Sequence, residues 1–156
     1  MATHHQGTQE EERALNAFIA LMRAADSFAA LLKVGLADQD LSGSQFGILE
    51  TLLHLGPLCQ KDLATKLLVS GGNITLVVDN LEKRGLVTRE RQVEDRRLVT
   101  VSLTAAGKKL ITSIFPKHLA TIVAHFSILT PAEQDVLRRL CRTLGTQTRN
   151  TRRSHG

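Results

Sequence analysis

Tryptophan and tyrosine are absent from this chain, and phenylalanine occurs only five times. Proteins that grip single strands stack bases on exposed aromatic rings, and so few rings leave little to build such a platform from. Cysteine occurs twice, as Cys59 and Cys141, in no framework spacing, so a disulfide scaffold is excluded and a reducing cytoplasm is the expected location. Three prolines and no long Gly/Ser stretch leave no evident linker. No uninterrupted run of 18 apolar residues exists, so no membrane-spanning segment and no membrane partner are expected. The opening MATHHQGTQEEER has neither the basic nor the apolar region of a signal peptide. Marks of an enzyme are missing as well: there is no nucleophile elbow and no paired acid spacing. VSGGN is glycine-rich but lacks the Gly-Lys-Ser/Thr ending of a phosphate loop. No enzymatic activity and no cofactor are expected.

What is present points to helices. A chain of 156 residues fits one domain, and a hydrophobic share of 42% made of Leu, Val, Ile and Ala supplies a helical core. Lys and Arg outnumber Asp and Glu by 20 to 15, a balance compatible with nucleic acid or an anionic surface. The charge is uneven: Glu10, Glu11 and Glu12 sit near the start. No acid follows Asp135, whereas Arg138, Arg139, Arg142, Arg149, Arg152 and Arg153 do.

Apolar residues recur at Leu15, Phe18, Met22, Ala25, Ala29, Leu32 and Leu36. Steps of three and four predict one long helix of roughly 35–40 Å with a seam suited to a partner helix. Ser42 and Gln45 have capping-box spacing ahead of SQFGILETLLHL, and Gly56-Pro57 ends that helix. A short helix, QKDLATKLL, follows, with Cys59 at its expected N-cap. After the tight turn VSGG, a further helix places Ile74, Val77, Val78 and Leu81 on one face and closes at Gly85. The period then becomes extended in LVTRERQ and LVTVSLT, a two-stranded hairpin with the charged tip VEDRR. Thr104 is the expected cap of a second long helix, which Pro116 should bend near Phe115. Thr130, Pro131 and Glu133 supply cap, first-turn proline and box partner for the last helix, whose apolar stripe includes Cys141 as a buried filler.

Short helix, tight turn, second helix and hairpin make a helix-turn-helix with a wing. In such a motif the second helix enters the major groove by its N-terminal residues. That gives SGGNIT a purpose. Gly71 and Gly72 let backbone N–H groups approach phosphate at a helix N-terminus. Asn73 can pair bidentately with adenine, and Thr75 can meet a base edge or a thymine methyl. Ser70 caps the helix or touches phosphate. At the wing tip, Arg96 and Arg97 suit a narrow electronegative minor groove, and Asp95 can orient an arginine. Arg89 and Arg91 alternate with Glu90, which predicts one basic strand face. The blander reading makes the glycines a turn, Asn73 a cap and RERQVEDRR a solvated hairpin.

The segments QFGILETLL, KDLATKLLVSGGNITLVVDNLEKRGLVTR, EDRRLVTVSLTAAG and LTPAEQDVL resemble the MarR family of bacterial transcription regulators, over about residues 11–148. The resemblance implies a mainly α fold with a small β-wing, a homodimer joined through the first and last helices, and double-stranded DNA as partner. The operator would be pseudo-palindromic and the usual action repression. It also implies that Arg97 enters the minor groove held by Asp95, and that Gly71, Asn73 and Thr75 are recognition-helix contacts. The double glycine departs from the family's commoner serine or arginine start, so more backbone readout is expected. SGGNITLVVDNLEKRGL is similar to a subgroup responding to quinones and phenols, which implies a small aromatic effector at an unassigned site. The expected organisation is a loose N-terminus over 1–9, a subunit over 10–148 and a basic tail over 149–156. Within the subunit, 10–36 and 105–148 would dimerise and 42–104 would form the DNA-binding lobe.

Two other sensing schemes and one rival remain. Cys59 at a helix N-terminus is a candidate redox thiol, although thiol-sensing relatives carry theirs in the first helix, where this chain has none. His118 and His125 stand seven apart on one helix, too far to share a metal without further ligands, even with His54 near, so no metal site is expected. A winged helix used only for protein contacts is the rival from another functional class.

Overall fold

The computed structural model describes residues 4–67, 71–91, 93 and 98–153. Helix α1 spans Gln9–Ala37 and α2 Gly43–Leu55; strand β1 is Leu58–Cys59; helices α3, Gln60–Leu67, and α4, Gly71–Lys83, follow. Strands β2, Val87–Arg91, and β3, Val99–Leu103, precede α5, Ala105–Phe126, and α6, Pro131–Arg153. The chain is mostly helical with one antiparallel sheet in the order β1-β3-β2. Two compact units divide it, Met1–His118 and Leu119–Gly156.

The cap signals act as their chemistry requires. Ser42 accepts from the Gln45 N–H, and the Gln45 side chain accepts from the Ser42 N–H, at 3.1 and 2.9 Å. A further capping box, unforeseen, joins Thr8 and Glu11 at 3.2 and 2.8 Å and starts α1 at Gln9. The Glu11 carboxyl is held below the ordinary carboxylate value chiefly by the Thr8 backbone N–H. Helix α1 is, by length and composition alone, apolar enough to cross a bilayer, which the lack of an unbroken apolar run had not suggested. Arg23 and Asp26 interrupt it, and each charge at mid-membrane costs about 3 kcal/mol. Its apolar side chains Phe18, Met22 and Val34 are exposed, while Leu36 is buried.

In the first unit, Ile48 and Leu49 of α2, Leu63 of α3, Ile74, Val78 and Leu81 of α4, Val87, Val101 and Ile111 are fully buried. Strand β1 was not foreseen. It pairs Leu58 with Val101 and Cys59 with Thr100, so Cys59 lies half-buried on the sheet edge immediately before α3. Where α4 ends, Gly85 adopts a left-handed φ of 69° and the Leu86 N–H returns to the Leu81 carbonyl at 3.0 Å. The Thr104 N–H then donates to the Leu86 carbonyl at 3.1 Å, and its hydroxyl donates to the Gly85 carbonyl at 2.7 Å. The same hydroxyl accepts from the Gly107 N–H at 3.0 Å and so caps α5. Gly107 rests directly on the neighbouring main chain: a Cβ there would stand 1.9 Å from the Leu86 carbonyl oxygen. Pro116 sits inside α5, which continues unbroken to Phe126.

In the second unit, Thr130 and Glu133 form the anticipated box, with N–H and hydroxyl of Thr130 both donating to Glu133, at 2.7 and 2.8 Å. Gln134 ties the corner by donating to the Phe126 and Leu129 carbonyls. No residue of this unit is buried among those described. Cys141, expected as buried filler, is exposed together with Val136, Leu137, Leu140 and Leu144. The helical backbone continues through Arg153, into the segment expected as a separate tail.

Gly107→Ala is expected to destabilise the chain by about 3 kcal/mol or more, because the methyl meets backbone rather than a side chain that can rotate. Gly43→Ala, where an added methyl meets nothing within 4 Å, should change stability by no more than about 1 kcal/mol. Urea unfolding of both variants measures the contrast, and equal midpoints would remove the contact from its structural role.

Candidate nucleic-acid interface

Helices α3 and α4 form the helix-turn-helix, and β2 with β3 forms the wing behind it. Helix α4 turns Ile74, Val77, Val78 and Leu81 into the core and leaves Gly72, Asn73, Thr75 and Leu76 exposed. The predicted groove-facing residues Gly72, Asn73 and Thr75 therefore share the outer side of the helix that Gly71 begins. Ser70, Asp95, Arg96 and Arg97 lie outside the described residues.

Thr75 is positioned by a partner the sequence reading missed. Gln60, the first residue of α3, donates through Nε2 to the Thr75 hydroxyl at 2.9 Å. Its Oε1 is buried and finds no hydrogen-bond partner among the described residues. The bond joins the start of α3 to the first turns of α4, fixing the angle between the two helices where α4 is most exposed. Nothing in the residue types at 60 and 75 announces this pairing, which depends on how the two helices cross.

Arg89 departs from its expected role. It was read as part of a basic strand face, but its guanidinium is held by α4. Nη1 lies 2.6 Å from Asp79 Oδ1, Nη2 lies 2.6 Å from Glu82 Oε2, and Nε donates to the same Glu82 oxygen at 3.0 Å. The Arg89 backbone N–H also donates to Glu82 Oε1 at 3.2 Å. The strand's positive charge at this position is thus neutralised, and the wing is fastened to the helix instead. The signal was present in the sequence: Asp79 and Glu82 stand three apart on one helix, facing the strand that follows. Arg89 hydrogen bonding holds the Glu82 carboxyl below the ordinary carboxylate value, with burial opposing. The Glu82 hydrogen bond likewise raises the Arg89 value above that of a free guanidinium.

At the other end of α4, Arg84 donates to the Asp40 carbonyl at 2.6 Å and to the Gln39 carbonyl at 3.2 Å. Asp40 carries a left-handed φ of 50°, so the turn after α1 offers both carbonyls to one guanidinium. Two of the histidines, His54 and His118, are engaged in ring packing. The His118 ring lies 4.1 Å from the Phe46 ring, and His54 meets Phe115 edge-on at 4.9 Å. Burial pushes the His118 imidazole below its ordinary value, with Glu50 opposing. Among the described residues no three metal-binding side chains converge.

Comparison with known proteins places this geometry. The MarR family model matches residues 41–99, from just before α2 to the first residue of β3. The chain is 34% identical over 129 residues to YkoM, an uncharacterised HTH-type transcriptional regulator of Bacillus subtilis (strain 168), covering 83% of this chain and 84% of the relative. It is 32% identical over 134 residues to the HTH-type transcriptional regulator MhqR of the same organism, covering 86% of this chain and 92% of that one. The structure of BpsR from Bordetella bronchiseptica, whose DNA binding is regulated by 6-hydroxynicotinic acid, superimposes with a TM-score of 0.75 at 26% identity. That match covers 83% of this chain and 98% of BpsR.

Arg89→Met should cost roughly 1–2 kcal/mol at neutral pH, the scale of a partly solvated, hydrogen-bonded ion pair. The sign of its pH dependence follows from Glu82. A carboxyl whose folded value is depressed adds stability above its unfolded value near 4.5, and that stability is lost as pH falls through the folded value. The difference between parent and variant should therefore shrink on acidification below pH 4.5. Chemical unfolding across that range reads it, and a pH-independent difference would mean the pair contributes through packing alone.

Proposed function

Because this chain belongs to the MarR family of winged-helix, DNA-binding transcription regulators, we propose that it acts as a homodimeric repressor on a pseudo-palindromic operator, in the cytoplasm. The observation that carries this reading is the two-sidedness of α4, whose apolar face is consumed by the core while Asn73 and Thr75 face outward. In the proposed complex α4 of each subunit enters a major groove. Gly71 and Gly72, with Ser70, lie against phosphate at the helix N-terminus. Asn73 reads adenine, Thr75 a base edge, and the wing sets Arg97, oriented by Asp95 and accompanied by Arg96, into the minor groove.

Dimerisation answers a physical deficit. Helix α6 exposes Leu140 at 54% and Leu144 at 56%, and α1 exposes Phe18 at 58%. A second unit with no buried residue among those described does not hold itself together by apolar burial. A second copy of the chain supplies the missing surface, and twofold symmetry then presents two α4 helices about one helical turn of DNA apart. The effector we propose is a small hydroxylated aromatic or quinone, supported by the regulation of BpsR by 6-hydroxynicotinic acid. Its binding would shift the population between dimer spacings that fit successive major grooves and spacings that do not.

Operator DNA recovered by selection from a random duplex pool, measured by fluorescence anisotropy, tests the reading. Affinity should fall roughly a thousandfold or more between about 50 and 200 mM salt, as several phosphate contacts are lost. Arg97→Ala should weaken binding without altering the dimer's mass by light scattering. Asn73→Ala should relax discrimination by about 1–3 kcal/mol at one position per half-site. A monomer unable to tell selected from scrambled duplex would overturn the proposal.

A further inference from the structure

One large apolar side chain stands on the outer face of α4. At about 100° per residue, Gly72, Leu76, Asp79 and Lys83 lie within about 30° of the line opposite the core stripe, and Asn73 and Thr75 flank it on either side. Leu76 is 59% exposed. It is the sole large apolar residue of α4 outside the buried set Ile74, Val77, Val78 and Leu81. A single exposed leucine on an ordinary surface needs no explanation. On a face otherwise made of Gly, Asn, Thr, Asp and Lys, it is the one large apolar group offered to whatever the helix meets.

Gly72, one turn earlier on the same line, is the second observation. A methyl added there meets no atom within 4 Å among the described residues, and its φ is not left-handed. Among the described residues neither packing nor backbone conformation asks for glycine at 72, whereas packing does at Gly107 and backbone conformation does at Gly85. An open notch followed by an apolar knob suits a surface that approaches closely at the first turn and offers an apolar group at the second.

We propose that Leu76 is a specificity residue that reads a thymine methyl group in the major groove. Base edges there present hydrogen-bond donors and acceptors and one apolar group only, the C5-methyl of thymine. Leucine has no donor or acceptor, so the methyl is the sole base feature it can recognise favourably, and against any other edge it would desolvate polar atoms without return. Gly72 lets α4 sink far enough for that contact. This inference rests on the operator-binding reading above and adds to it an assignment by apolar contact rather than hydrogen bonding.

The test replaces thymine by deoxyuridine, one symmetric pair of positions at a time, in the duplex that the full-length chain selects from a random pool. Deoxyuridine keeps every hydrogen-bonding group and deletes only the methyl. At one pair of positions the parent should lose about fourfold in affinity per methyl, and roughly fifteenfold for the two half-sites together, the scale of one buried carbon group. Leu76→Ala should bind thymine and deoxyuridine duplexes alike, with its melting temperature and dimer mass unchanged because the side chain is exposed. Gly72→Ala should unfold no more easily than the parent yet bind the selected duplex more weakly. If no thymine substitution matters while cytosine-for-thymine changes still do, Leu76 is not a reader and the operator-binding reading survives. If Leu76→Ala changes the dimer mass, the side chain belongs to a protein contact, which also overturns the proposal. If selection enriches no sequence, the operator-binding reading itself fails.

Discussion

The main-chain carbonyl of Leu86 is the point on which the winged helix-turn-helix is assembled. It accepts the Thr104 N–H and lies against Gly107 with no room for a side-chain carbon. The Thr104 hydroxyl completes the junction by bonding both Gly85 and Gly107. Helix α4 ends there, β2 begins there and α5 starts there, so three elements share one anchor. The angle at which α4 is presented is set by main-chain hydrogen bonds and a glycine contact, which tolerate far less displacement than apolar side chains sliding over one another. The core stripe of α4 then has only to fill the space that this junction defines.

From that anchor the helix is tethered at three further places. Gln60 holds Thr75 near its start, Arg89 ties its middle to the wing, and Arg84 ties its end to the turn after α1. None of these bonds contributes more than a modest free energy singly. Their value is geometric, since together they fix where the outer side chains of α4 stand. The outer face carries Thr75 and Asp79, each bonded to another element, beside Asn73 and Leu76.

Much of this was legible in the residues. The capping signals at Ser42, Thr104 and Thr130 and the closing glycine at 85 act locally, within four residues of chain, and local patterns survive into the structure. The same holds for the face of α4, which follows from a 3.6-residue period. What escaped reading was non-local. Strand β1 is two residues long and exists only because β3 offers it an edge. Arg89 looked like part of a charged run because its partners lie on the preceding helix. Cys141 looked buried because an apolar stripe was read as a core, yet its side chain is exposed. At the candidate interface, residue type at a helix start was enough to nominate Asn73 and Thr75, whereas Leu76, lying off the core stripe and without a hydrogen-bonding group, drew no reading from the sequence.

The two arginine tethers of α4 answer to different solvents. Arg89 is held by carboxylates, which protons neutralise and electrolyte screens. Arg84 is held by the carbonyls of Gln39 and Asp40, which carry no titratable charge. Acid or brine therefore slackens the hairpin's grip on the helix while the opposite clasp, toward the loop that follows Ala37, keeps its hold. The winged helix consequently has a soft side and a hard side, and strand β2 hangs from the soft one.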